Sequence, residues 1–126
     1  MNNIVQVPIS IGELCDKYTI LLIKKEKISD ETKLSNIQNE LKRLNSIIKE
    51  LNISYHRITD LKIVNEKLWN IEDNIRIKEL NKEFDADFID LARSVYVTND
   101  LRFEIKNNIS KEYNSGILEV KSYSKY

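Results

Sequence analysis

The only proline in this chain is Pro8 and the only glycines are Gly12 and Gly116, so the backbone from Glu13 to Ser115 carries neither of the strong helix breakers. A fold of many short strands needs frequent turns, and turns draw on those two residues. Their scarcity, in a chain rich in Lys, Glu, Leu, Ile and Asn, favours long helices. With 126 residues and 41% hydrophobic content, the chain suits one core and one domain over 1–126. The expected class is all-α: three or four helices packed nearly antiparallel with short connections.

Ser10 is placed to cap a first helix, with Glu13 at capping-box spacing, and that helix is expected to run to about Ile28. Leu14, Tyr18, Leu21 and Leu22 share one face while Ile20 and Ile23 lie elsewhere, which predicts a central position. Ser29 to Thr32 supplies caps for a second helix, whose Leu34, Ile37, Leu41, Leu44, Ile48 and Leu51 alternate spacings of three and four. Such a seam serves a bundle or a homodimer equally. Asn52-Ile53-Ser54 reads as a turn, and a third helix is expected from Tyr55 to Glu83, with Leu61, Val64, Leu68, Ile71 and Ile75 on its seam. A fourth follows the cap candidates Asp85 and Asp87 and is expected to end near Ser115-Gly116, since glycine suits the left-handed position after a helix. Short extended arms over about 1–9 and 117–126 flank the helices, and Ile4–Val7 can pair with Ile117–Val120 as a two-stranded ribbon.

Charge and motifs exclude several function classes. The 20 Lys and Arg balance the 20 Asp and Glu, so no bulk field draws the chain to nucleic acid or an anionic membrane, and the two lysines of the tail from Lys121 to Tyr126 are a thin basic footprint. The apolar run Tyr18–Ile23 falls far short of the roughly 20 residues that span a bilayer. Met1-Asn2-Asn3-Ile4 has no charged start leading into an apolar stretch, so a cytoplasmic location is expected. Cys15 is alone, which excludes an internal disulfide and reads as a small core hydrophobe. No Glu-x-x-His pair accompanies the lone His56, and the phosphate-loop, dinucleotide, redox and hydrolase signatures are absent, so neither metal nor cofactor is expected.

The informative feature is polarity where helical periodicity asks for apolar residues. Asn99, Arg102 and Lys106 project in the same direction as Phe88, Leu91, Val95, Ile109 and Tyr113, interrupting a core-facing stripe. On the third helix Asn65, Trp69, Glu72 and Arg76 form a second stripe beside the apolar seam, where Glu72 can pair with Arg76 or face Arg102. Glu13, Lys17 and Lys24 line a flank of the first helix. If these flanks meet, they enclose carboxylates, cations and an amide, with Trp69 and Tyr96 as aromatic walls. A charge left unpaired in a core costs several kcal/mol, so each of these residues needs a partner inside or outside the chain.

Four blocks carry a wider resemblance: Pro8-Ile9-Ser10-Ile11-Gly12-Glu13-Leu14 with Asp16-Lys17, Ile20 and Ile23-Lys24; Leu68-Trp69-Asn70-Ile71-Glu72-Asp73 with Ile75-Arg76; Tyr96 with Asn99-Asp100-Leu101-Arg102 and Ile105-Lys106; and Glu119-Val120-Lys121-Ser122-Tyr123. In order and spacing they resemble a small bacterial and phage family known only as domain of unknown function 6165, across nearly the whole chain. Cys15 stands where another apolar residue is expected. The resemblance implies a helical fold without an established activity, and an accessory role in surface-polysaccharide or glycan assembly beside glycosyltransferase-like proteins.

Three readings follow for the residues singled out: Glu13, Lys17, Lys24, Trp69, Glu72, Asp73, Arg76, Asn99, Arg102 and Lys106. The first is a binding module whose cluster holds a small anionic or sugar-containing ligand, or a partner protein. The second is an enzyme on a phosphorylated or sugar-linked substrate, with Glu72 as acid or base. The third is an internal ion-pair network that fixes helix register in an interaction protein.

Overall fold

Helix starts in this chain are marked by short polar side chains that satisfy the free amides of the first turn. In the computed structural model, which describes residues 3–126, Ser10, Asp30, Ser54 and Asp85 each accept a hydrogen bond from a first-turn backbone N–H. They open α1 (Ile11–Lys27), α2 (Glu31–Glu50), α3 (Tyr55–Leu80) and α4 (Ala86–Glu112). The Ser10–Glu13 cap is the one its spacing predicts, with Glu13 N–H donating to Ser10 Oγ at 3.0 Å.

The stops differ from expectation. α2, α3 and α4 each end with a residue in the left-handed region, Asn52, Lys82 and Asn114, at φ of 56°, 56° and 55°. In each case the following amide reaches back to close the turn: Ile53 to Ile48, Glu83 to Lys78 and Ser115 to Ser110. α3 therefore stops at Leu80 rather than Glu83, and α4 at Glu112 rather than at Gly116, whose φ is not positive.

α1 is central, as its apolar circumference predicts, and packs against all three other helices. Its Leu14 and Cys15 join Ile48, Ile58, Leu61, Val64 and Ile109 in one cluster, while Leu21 meets Ile37 and Leu41 in a second. The α2 seam is thus used within the chain, against α1. α3 and α4 form an antiparallel hairpin, tied near the turn by Lys78 to Asp85 and at the open end by Arg57 to Glu112. At 26 and 27 residues they outreach the 17 residues of α1. Beyond about Trp69 they run on without it, leaving Ile77, Leu80, Phe84 and Ile89 exposed.

The expected ribbon does not form. Among the described residues there is no strand: Ile4, Val5 and Val7 are exposed, and the other arm turns back along α4. Met1 and Asn2 of the first arm lie outside the described residues. Alternation on an arm with no apolar face to cover did not bring it a partner. Among the described residues no helix is long and apolar enough to cross a membrane.

Candidate functional site

Gly12 sets the site's geometry. Its amide donates to Ser110 Oγ at 2.8 Å, and a Cβ at this position would overlap the Lys106 carbonyl oxygen, so only glycine lets α1 and α4 come this close. The close approach places the adjacent Glu13 against Lys106 and, one turn further along α1, Asp16 against Arg102.

Asp16 is the centre of the cluster, with only 1% of its side chain exposed. Arg102 grips it with a fork, Nε donating to Oδ1 at 2.9 Å and Nη2 donating to Oδ2. Asn65 Nδ2 donates to Oδ1 at 2.9 Å and also to Thr19 Oγ1, tying α3 to the same point. Lys106, whose side chain is 8% exposed, donates to Glu13 Oε2 at 2.7 Å and lies 3.0 Å from Glu119 Oε2 on the returning arm. Its ammonium also stands 3.7 Å from Asp16 Oδ2. Burial would raise the Asp16 carboxyl, but the hydrogen bonds from Arg102 and Asn65 and the charges of Arg102 and Lys106 outweigh it and hold the group below the usual carboxylate range. Burial would likewise lower Lys106, yet Glu13, Glu119 and Asp16 keep it above the usual lysine value. Asp16 and Lys106 therefore both stay ionised at neutral pH.

Asp16 itself is enclosed, and two grooves flank the cluster. A groove of about 370 Å³ is lined by Ile20, Asn65, Leu68, Trp69, Glu72, Asp73, Arg76, Asn99 and Arg102. It opens where α1 crosses the α3–α4 pair: Ile20 meets the level of Leu68 and Trp69, while Glu26, further on, reaches back to Lys62. The second, about 430 Å³, lies between α4 and the arm and is lined by Asn99, Arg102, Phe103, Lys106, Glu119, Val120, Lys121, Ser122 and Tyr123. Asn99 and Arg102 form the ridge shared by both.

The structure thus gathers most of the residues that periodicity singled out. Asn99, Arg102 and Lys106 face inward as expected, Glu13 joins them, and Trp69, Glu72, Asp73 and Arg76 line the first groove. Lys17 and Lys24 do not belong: Lys17 is exposed, and among the described residues neither takes an ion pair or lines either groove. Glu72 does not engage Arg102, whose fork is committed to Asp16; it pairs with Arg76 at 3.3 Å on its own helix. Tyr96 is not a wall of the tryptophan groove but stands with Tyr126 in an edge-on contact of 5.0 Å.

Sequence reasoning missed Asp16 and Glu119. Asp16 had a readable signal, since at helical spacing it shares a face of α1 with Gly12, Thr19 and Ile23. Glu119 had no periodic signal, because an extended arm carries no helical period, and only the family resemblance marked its block. Cys15 is buried, and burial together with the neighbouring Asp16 charge pushes its thiol up to about 12, in keeping with a core hydrophobe.

No curated protein and no solved structure matches the chain. A family model matches residues 5–126, a span that includes the cluster and both grooves: the chain belongs to DUF6165, a family of unknown function.

Proposed function

We propose that the chain is a non-enzymatic helical binding module whose ligand groove is the one walled by Trp69, and that it serves as an accessory in surface-glycan assembly beside a glycosyltransferase-like partner. The single observation that carries the binding reading is the chemistry of that groove. An indole forms its apolar wall, and around it stand a carboxylate at Asp73, an amide at Asn99 and a guanidinium at Arg102. A flat aromatic face with planar donors and acceptors at its rim suits a sugar ring, which has an apolar face and an equatorial belt of hydroxyls. The buried Asp16 anchor fixes Arg102 before any ligand arrives, which lowers the ordering cost of binding. The glycan setting rests on the family resemblance.

Trp69 is the only tryptophan, so its fluorescence reports on the groove alone. Titration with hexoses, nucleotide sugars and sugar phosphates is expected to give a saturable change with at least one class, weakened by more than about tenfold, a loss of roughly 1.4 kcal/mol, in Asn99→Ala or Asp73→Asn. Flat titrations across the panel would overturn the small-molecule reading.

The enzymatic alternative keeps Glu72 as acid or base, and Glu72 does line the groove. Turnover of any panel member that disappears in Glu72→Gln, with binding retained, would establish it in place of the binding module.

A further inference from the structure

The arm that follows α4 is pinned at several points. At its root Ser115 Oγ accepts from Ile11 N–H at 3.1 Å and donates to the Ile117 carbonyl at 2.7 Å. Further on, its charges run in register with those of α4. Glu119 meets Lys106 at 3.0 Å, and Lys121 meets Asp100 at 2.5 Å, its ammonium also 5.3 Å from the centre of the Phe103 ring. The arm is therefore an intramolecular ligand of α4, and the Glu119 carboxylate is the group it delivers to the buried Lys106 ammonium.

That carboxylate differs from the others in the cluster. Asp16 is 1% exposed and locked by Arg102 and Asn65, whereas the Glu119 side chain is 45% exposed and borne on an arm with no secondary structure. It faces a groove shared through Asn99 and Arg102 with the tryptophan groove. Around that shared ridge stand the cations Arg102, Lys106 and Lys121 and the carboxylates Glu13, Asp16, Asp100 and Glu119. Replacing Glu119 with an external carboxylate leaves this balance unchanged, a phosphate monoester adds up to one further negative charge, and either returns an acceptor to the Lys106 proton that Glu119 gives up.

We infer that the ligand of the tryptophan groove is a sugar bearing an oxyanion, phosphate or carboxylate, which crosses the Asn99–Arg102 ridge and takes the place of the Glu119 carboxylate on Lys106. The inference rests on the sugar-binding reading of the Trp69 groove and adds the charge of the ligand and the displacement of the arm. A tethered carboxylate competes at roughly millimolar effective concentration, so the native arm weakens and selects the ligand at once.

The test is calorimetric titration of the full chain and of Glu119→Gln with glucose, galactose and mannose, with the 1-phosphate and the uronic acid of each, and with inorganic phosphate. Amide NMR shifts of Val120 and Lys121 follow the arm. The expected result is that a phosphorylated or carboxylated sugar binds more tightly than its neutral parent and shifts both arm amides. Glu119→Gln should then tighten that charged sugar by on the order of tenfold or more, leaving the neutral sugar unchanged; the phosphate and uronate arms separate the two oxyanion sources. Equal affinities for charged and neutral sugars, or no gain in Glu119→Gln, overturn the inference while leaving the sugar-binding reading in place. Absence of binding by every sugar to both proteins overturns the reading beneath it as well. Inorganic phosphate binding as tightly as the sugar phosphates overturns the spanning geometry.

Discussion

Arg102 holds both carboxylate oxygens of Asp16 across 86 residues of sequence, one partner on α4 and the other on the central helix. The carboxylate is wholly enclosed and the guanidinium keeps 28% of its side chain in solvent, so the pair faces inward at one end and toward the grooves at the other. It is an internal staple and, in the binding reading proposed above, also the fixed base of the groove site.

Asp16→Asn leaves a guanidinium half-buried without its counter-charge. Removing one member of a buried pair costs about 3–5 kcal/mol, and the partial exposure of Arg102 trims the expected loss to about 2–3 kcal/mol. Urea denaturation measures it. The double change Asp16→Leu with Arg102→Met is expected to recover most of that loss while still abolishing ligand binding, which separates staple from site.

Gly12→Ala introduces a methyl where the Lys106 carbonyl and Ser110 Oγ leave no space. Alanine gains about 1 kcal/mol of helix propensity over glycine, but overpacking against a backbone carbonyl costs about 1–3 kcal/mol or more, so a net lower melting temperature is expected. A variant at least as stable as the parent would show that α1 and α4 do not approach this closely.

Acid should act through Asp16. Its folded pKa is lowered from the ordinary 3.8, so its contribution is fully present above that value and is lost as pH falls through the folded one. Denaturation midpoints are therefore expected to be steady from neutrality to about pH 4 and to fall below it, with the acid-side slope reduced in the Asp16→Leu, Arg102→Met pair.

Cys15 should resist thiol reagents in the folded chain, because the side chain is inaccessible and its thiol is shifted up to about 12. Ellman's reagent is expected to react only at the rate of unfolding, and fast labelling under native conditions would contradict the burial of this part of α1.

The helices were legible because caps and three-four spacing are local, and the structure keeps them within a few residues of their expected bounds. The stops were less so, since Lys82 and Asn114 take left-handed positions that a reader assigns to glycine. Arg102 and Lys106 betrayed themselves as charges in an apolar stripe. Lys17 and Lys24 shared the flank of Glu13 by spacing alone, and the way α1 crosses its neighbours decides which of that flank is covered. That crossing, like the path of the arm that brings Glu119 to Lys106, is a tertiary property with no periodic trace.

The overhang of α3 and α4 beyond α1 divides the molecule into parts of unequal firmness. Amides around Leu61, Val64 and Ile109 are enclosed by neighbouring helices, whereas those near Ile77, Leu80 and Ile89 belong to a two-helix tip with apolar side chains in water. Hydrogen exchange is expected to be fastest in the tip, through partial openings that leave the enclosed part closed. Arg76 sits toward that side of the tryptophan groove, so one rim of the groove can breathe while the Arg102 rim stays still.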